Sequence, residues 1–254
     1  MSAVIVIPAR HASTRLPGKP LLKETGKYLI QHVYERATQA RRARAVIVAT
    51  DDPRIVAAVD GFGGGVVMTR RDHPCGTDRV AEVARLLDDE IVVNLQGDEP
   101  LVEPSSLDLL IARLEQDATA DVATLACPLP GPEQYHNPNC VKVVTDDRDR
   151  ALYFSRSPLP YVRDGQPDFA ARPARFLQHV GIYAYRREFL FEFAATPPAA
   201  LEKLEKLEQL RALAMGRTIG VGRIERATLG VDTYEGYRRF VATYRALRSG
   251  KEAA

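Results

Sequence analysis

In the first half of this chain, runs of consecutive aliphatic residues take turns with stretches spaced for helices, and that alternation restricts the fold more than any other feature. Val4–Ile7, Ala45–Ala49, Val66–Met68 and Ile91–Leu95 read as strands; Leu29–Arg41, Pro53–Val59, Asp78–Leu87 and Pro104–Gln116 read as helices. Val4-Ile5-Val6-Ile7, Val46-Ile47-Val48 and Ile91-Val92-Val93 are apolar at every position, as strands covered on both faces require. Strands that alternate with helices imply βαβ crossovers, and hence a three-layer α/β fold with a mostly parallel mixed sheet between two helical layers.

Beyond Ala126 the rhythm changes. Val141–Thr145 and Ala151–Ser155 flank the turn Asp146-Asp147-Arg148-Asp149 and predict an antiparallel hairpin. Pro158 to Pro173 holds four prolines without helical or strand periodicity and reads as an excursion or arm. Val180–Tyr185 predicts another strand, and leucines at 201, 204, 207, 210 and 213 predict one helix that Gly216 stops. A last helix is expected from Thr233 to Leu247. Without an internal repeat or a low-complexity linker, residues 1–254 read as a single domain with an arm at 158–173.

The charges set limits on partners. Lys and Arg number 35 against 33 Asp and Glu, a net charge of +2, which argues against a nucleic-acid binder that works by bulk charge. Trp is absent and aromatics are 7% of the chain, so stacked platforms for single strands are not expected either. The apolar run after Ser2 lacks the basic start and length of a secretory signal. No stretch approaches the roughly 20 apolar residues that span a bilayer, so a cytoplasmic protein without membrane contact is expected. Cys75, Cys127 and Cys140 are widely spaced and form no C-x-x-C pair, against a disulfide framework or a structural zinc site.

Chemistry collects where the strands end. After the first strand the chain reads Ala9-Arg10-His11-Ala12-Ser13-Thr14-Arg15-Leu16-Pro17-Gly18-Lys19-Pro20. Ligands of open α/β sheets sit outside the carboxyl ends of strands, and Arg10, Arg15 and Lys19 with the Ser13 and Thr14 hydroxyls suit a polyphosphate, which needs several charge-assisted donors at once. The P-loop pattern is absent, and Gly61-Phe62-Gly63-Gly64-Gly65 precedes a strand instead of following one, so it reads as a turn. The strand Ile91–Leu95 ends in Gln96-Gly97-Asp98-Glu99-Pro100, which holds Asp98 at the same sheet edge. Asp232, just ahead of the last helix, is either an N-cap or a second carboxylate for a hard cation such as Mg²⁺. Glu99 reads as a solvated or loop-bracing neighbour.

The blocks Ile7-Pro8-Ala9-Arg10, Leu16-Pro17-Gly18-Lys19-Pro20, Gly76-Thr77-Asp78-Arg79, Asn94-Leu95-Gln96-Gly97-Asp98-Glu99-Pro100, Leu152-Tyr153-Phe154-Ser155-Arg156, His179-Val180-Gly181-Ile182-Tyr183, Leu207-Glu208-Gln209-Leu210-Arg211 and Gly230-Val231-Asp232-Thr233 come in order along the chain. Together they resemble the 3-deoxy-manno-octulosonate (Kdo) cytidylyltransferases, from residue 7 to residue 233. The resemblance implies a Rossmann-like nucleotide-diphospho-sugar transferase fold, CTP and Kdo as substrates, Mg²⁺ as cofactor, a place in lipopolysaccharide synthesis, and a homodimer. It assigns Pro8, Ala9, Arg10, Arg15, Lys19, Cys75, Gly76 and Arg79 to the nucleotide, with Arg15, Lys19 and Asp98 catalytic. Gln96, Arg156, His179, Tyr183, Glu208 and Gln209 are assigned to the sugar, and Asp98 and Asp232 to the metal. Cys75 stands where Ser is common in that family, a weaker donor than a hydroxyl, and His11 where Tyr is common.

The alternatives are a cytidylyltransferase for a related acid sugar such as 8-amino-Kdo or a nonulosonate, a non-catalytic nucleotide sensor, and a glycosyltransferase. The sensor would bind CTP yet release no pyrophosphate. The glycosyltransferase is disfavoured by a first loop better suited to a triphosphate.

Overall fold

The computed structural model describes residues 1–12, 16–228 and 230–250. The sequence alternation becomes β1 (Ala3–Ala9), α1 (Leu29–Ala37), β2 (Ala45–Thr50), α2 (Pro53–Gly61), β3 (Gly65–Met68), α3 (Gly76–Ala84), β4 (Ile91–Asn94) and α4 (Pro104–Gln116). Strand β1 pairs in parallel with β2 on one side and β4 on the other, and β2 pairs in parallel with β3. Val4 to Ile7 and Ile91 to Val93 are fully buried, because helices cover both faces of a parallel sheet. The Gly61–Gly65 segment is the expected turn, with Gly63 at φ 77° between α2 and β3.

The chain packs as two units, Met1–Asp108 with Thr228–Ala254 and Leu109–Ala227. The first boundary falls inside α4 and no linker marks either one, so nothing in the sequence announced it.

The second unit is mixed. Its strands are β5 (Val122–Pro128), β6 (Lys142–Thr145), β7 (Ala151–Ser155), β8 (Leu177–Arg186) and β9 (Ile219–Arg223). Strand β5 runs antiparallel to β8 and parallel to β9, and β6 and β7 form the expected hairpin. The helices are α5 (Pro132–His136), α6 (Arg187–Ala195), α7 (Ala200–Glu205) and α8 (Leu210–Ala214). The segment from Pro158 to Arg172 has neither helix nor strand, and is fastened to its own unit. Val162 and Phe169 pack on a cluster of Leu129, Tyr135, Cys140 and Phe176, and the Tyr135 hydroxyl donates to the Pro160 carbonyl at 2.7 Å.

The single helix expected over Leu201–Leu213 is a correction. Lys206 adopts the left-handed conformation, φ 54° and ψ 47°, and separates α7 from α8. Leu201 and Leu204 are 46% and 79% exposed, while Leu207 and Leu210 are buried. The leucine period therefore runs through a break that periodicity cannot reveal, and the break places Glu208 and Gln209 on the connecting turn. The last helix, α9 (Tyr234–Arg248), belongs to the first unit and buries Tyr237, Phe240 and Val241 against Leu16 and Leu29.

Candidate active site

In the first unit the carboxyl ends of β1 and β4, the start of α3 and the segment before α9 enclose a cleft of about 320 Å³. That volume is at the lower end of the range for small-molecule sites. Its walls include Pro8, Ala9, Arg10, Lys19, Cys75, Gly76, Arg79, Gln96, Asp98 and Asp232.

Lys19 reaches the cleft from a short 3₁₀ turn, Lys19–Leu21, that follows Gly18 at φ 68°. Its Nζ lies 2.7 Å from Asp98 Oδ2 and 3.4 Å from Asp232 Oδ1, with the lysine side chain 15% exposed. One ammonium thus sits between two carboxylates whose residues are 134 positions apart in sequence. Main-chain bonding explains why they meet, since the Val231 N–H donates to the Asp98 carbonyl at 2.8 Å. The N-cap of α9 is Thr233, which accepts from the Gly236 N–H at 3.1 Å. Asp232 is therefore not occupied as the cap.

Glu99 braces this corner instead of facing solvent. Thr228 Oγ1 donates to its Oε2 at 2.7 Å. Burial pushes the Glu99 carboxyl up to about 7, against the Thr228 hydrogen bond and with the charges of Asp98 and Asp232 adding to the rise.

The opposite wall is tied down by polar contacts. Arg79 is 4% exposed and donates to Asp51 Oδ2 at 3.0 Å, to Thr69 Oγ1 and to the Arg70 carbonyl. Gln96 Nε2 donates to Asn94 Oδ1 at 3.1 Å, and Asn94 Nδ2 to Thr77 Oγ1 at 3.2 Å, which joins the end of β4 to the first turn of α3. Cys75 is the N-cap residue of α3, and its thiol donates to Asp78 Oδ2 at 2.9 Å. Amides at the start of α3 and the helix dipole favour an anion there.

The second unit assembles its own polar cluster. His179 and Tyr183 project from β8 with ring centroids 5.6 Å apart, and the Tyr183 hydroxyl donates to Gln209 Oε1 at 3.1 Å. Burial drives the His179 imidazole down to about 3 and raises the Tyr183 phenol, with the Glu208 carboxylate adding to the latter. Gln209 is 4% exposed and its Nε2 has no hydrogen-bond partner among the described residues. A buried amide donor left unmade costs about 1–3 kcal/mol, a debt that a ligand oxygen removes. Arg156 binds main chain, donating from Nε to the Glu205 carbonyl at 2.6 Å and from Nη1 to the Pro138 carbonyl at 2.9 Å. Its position is thereby fixed to the turn that carries Glu208.

A family model described as cytidylyltransferase matches residues 4–219. The 3-deoxy-manno-octulosonate cytidylyltransferase of Syntrophotalea carbinolica is 51% identical over 250 residues, 97% of this chain and 100% of that protein. The chain belongs to the 3-deoxy-manno-octulosonate cytidylyltransferases. The enzyme of the same name from Syntrophobacter fumaroxidans is 53% identical over 238 residues, covering 92% of this chain and 94% of that one. A solved CMP:2-keto-3-deoxy-manno-octonic acid synthetase complexed with CTP superposes with TM-score 0.91 and 46% identity, over 97% of this chain and 100% of its own. A 4-diphosphocytidyl-2C-methyl-D-erythritol synthase from Anaerococcus prevotii, 13% identical with TM-score 0.60, shares the fold.

Of the residues expected from this cytidylyltransferase sequence, ten line the first-unit cleft. His179, Tyr183 and Gln209 are brought together in the second unit, with Arg156 and Glu208 on or beside the α7–α8 turn. Gln96, expected with the sugar set, belongs to the first unit. Arg15, with Ser13 and Thr14, lies outside the described residues. Sequence reasoning missed His73, which lines the cleft and pairs through Nε2 with Glu82 Oε2. Its signal was position alone, three residues ahead of the α3 N-terminus. It also missed Gly97, where a Cβ would stand 2.9 Å from the Pro8 carbonyl oxygen. In Gly97→Ala the β4 loop must move off β1, so a roughly tenfold rise in KM for CTP and about 2 kcal/mol lower stability are expected. Steady-state kinetics and urea unfolding check both.

Proposed function

We infer that this cytidylyltransferase moves CMP from CTP to the anomeric hydroxyl of Kdo and releases pyrophosphate. The observation that carries the reading is the Asp98–Lys19–Asp232 corner at the strand ends, in a chain half identical, end to end, to a Kdo cytidylyltransferase. The reaction is attack on the α-phosphorus with pyrophosphate as leaving group. Such transfers depend on positioning and on neutralising charge.

Arg10 and Lys19 supply fixed positive charge for the phosphates. Lysine is a point charge on a flexible stem, so Lys19 can trade a carboxylate for a phosphate oxygen as substrate enters. The α3 amides and Arg79's brace hold the nucleotide wall. In the second unit Gln209 Nε2 offers a donor and Glu208 an acceptor to sugar hydroxyls, while Arg156 adds positive charge for the sugar carboxylate. Glu99 keeps the two carboxylate loops in register.

Mg²⁺ fits the donor set. Asp98 and Asp232 already share one cation, the Lys19 ammonium, and hard oxygen donors are what Mg²⁺ takes, the rest coming from phosphates and water. Among the described residues no group of three or more His, Cys, Asp or Glu is placed to hold a metal ion, so the two carboxylates would depend on substrate oxygens and water for the remaining ligands. A metal held by Asp98 and Asp232 would neutralise phosphate charge and make a nearby hydroxyl easier to ionise.

The test is pyrophosphate release from CTP with Kdo, 8-amino-Kdo and a nonulosonate in parallel, with and without EDTA. Release with Kdo, abolished by EDTA and restored by excess Mg²⁺, is expected. CTP binding without release for any sugar would leave a nucleotide sensor, and release that survives EDTA would remove the metal. By the same family reading the enzyme acts in the cytoplasm as a homodimer on the way to lipopolysaccharide. None of its described helices is long and apolar enough to cross a membrane.

A further inference from the structure

The hydroxyl of Thr124 has three polar neighbours and one hydrogen to give. Thr124 is fully buried on β5, opposite a register shift in the β5–β8 ladder, where Thr124 faces Tyr183 and the next residue, Leu125, faces Val180. Two residues of β8, Gly181 and Ile182, therefore bulge out of the ladder at this point. Oγ1 lies 3.0 Å from the Ile182 carbonyl, 3.3 Å from the Val180 carbonyl and 2.9 Å from His179 Nε2. Carbonyl oxygens only accept, so the hydroxyl hydrogen is drawn to them. Pointing it at the imidazole would set the hydroxyl lone pairs against two carbonyls in a dry site. The hydroxyl is then an acceptor toward the ring, and His179 Nε2 carries the proton.

We propose that Thr124 is a positioning residue that fixes His179 as the Nε2–H tautomer and so leaves Nδ1 an acceptor for a hydroxyl of the acid sugar. The ring cannot turn freely to evade this setting, since Phe154 meets it edge-on at 4.9 Å and Tyr183 lies against it at 5.6 Å. The hydrogen bond that the described residues give the His179 ring is the one at Nε2, and Tyr183 links the ring to Gln209, whose own Nε2 is unmatched. One acceptor and one donor thus stand at the two ends of a single aromatic pair, a pattern that suits a polyol and would not suit an anion alone. Burial, which keeps the imidazole neutral, leaves the tautomer as the only variable for the hydroxyl to set. The assignment of a sugar to this cluster rests on the function proposed above.

The experiment has two arms that fail separately. Long-range ¹H–¹⁵N spectra of imidazole-labelled protein, with His179 identified among the five histidines by its loss in His179→Gln, read the tautomer directly. A protonated Nε2 and unprotonated Nδ1 are expected in the parent and in Thr124→Ser, and a mixed or inverted population in Thr124→Val. In kinetics, Thr124→Val should raise KM for Kdo about 5- to 10-fold, as loss of one neutral hydrogen bond does, with KM for CTP within twofold and recovery in Thr124→Ser. A parent with Nδ1 protonated, or a Thr124→Val protein with unchanged tautomer and unchanged KM for Kdo, overturns the proposal. A parent that binds no Kdo but shows the Nε2–H tautomer would instead overturn the sugar assignment, and with it the role of Nδ1.

Discussion

An Asp98→Asn enzyme is expected to lose about three orders of magnitude in kcat for pyrophosphate release, while unfolding within about 1 kcal/mol of the parent. The two halves of that expectation have different physical sources. Stability survives because asparagine keeps the size of aspartate, and because the bond that ties this loop to the α9 approach is main-chain, from Val231 N–H to the Asp98 carbonyl at 2.8 Å. The loss of the ion pair with Lys19 is limited because the ammonium keeps the Asp232 carboxylate at 3.4 Å and the asparagine amide oxygen can still accept from it. Turnover falls because the corner loses one of the two negative charges that, on the function proposed above, would hold a divalent cation beside the triphosphate. Asp232→Asn should cost less, since its carboxylate lies at 3.4 Å from the ammonium and is 51% exposed. Pyrophosphate release across a Mg²⁺ titration separates the effects. Partial recovery at high Mg²⁺ marks weakened metal binding, and near-normal turnover at saturation would remove Asp98 from the chemistry.

The first-unit part of this site was legible because its strands advertise themselves. Consecutive aliphatics at 4–7 and 91–93 can be satisfied only between two helical layers, and the residues after them fall at the ligand-binding edge by topology. Asp98 needed no contact information. Asp232 did, because an aspartate ahead of a helix serves equally as a cap, and only the Thr233 cap geometry releases it.

The second unit was harder to read for physical reasons. Strand β9 is Ile219-Gly220-Val221-Gly222-Arg223, and its glycines weaken the strand signal that the packing demands. A Cβ on Gly222 would stand 3.0 Å from Leu109 and Leu125 side-chain atoms. The α7–α8 break depends on one left-handed lysine, a conformation sequence does not announce for a residue with a Cβ. The family resemblance assigns Arg79 to the nucleotide and Arg156 to the sugar, and each commits several of its five N–H groups to protein oxygens. Composition reveals an arginine, whereas its partners are set by tertiary packing.

Replacing Arg211 by Met should cost about 3–5 kcal/mol at pH 8 and reverse the pH dependence of that share of the stability. The guanidinium donates from Nε and Nη2 to the two Glu202 oxygens at 2.9 and 2.6 Å, and from Nη1 to the Phe193 and Thr196 carbonyls at 3.1 and 3.2 Å. The two side chains are only 8% and 11% exposed. Burial alone would raise the Glu202 carboxyl, but hydrogen bonds from Arg211 and from the Ala199 N–H outweigh it and hold the group below the usual carboxylate range. A depressed folded-state pKa gives stability that is full above the unfolded value and lost as pH falls through the folded one. Without Arg211 the burial, the largest cause, remains and only the Ala199 N–H and the more distant Lys203 charge still compensate, so the folded pKa moves above the unfolded value. The contribution is then present when Glu202 is protonated and lost as pH rises. The melting temperature of Arg211→Met should lie roughly 10 °C below the parent at pH 8, and the gap should narrow at pH 4.5. Parallel melts at both pH values read this directly. A gap independent of pH would mean that packing of the arginine on the Phe193 ring, 4.5 Å from its centroid, accounts for the whole loss.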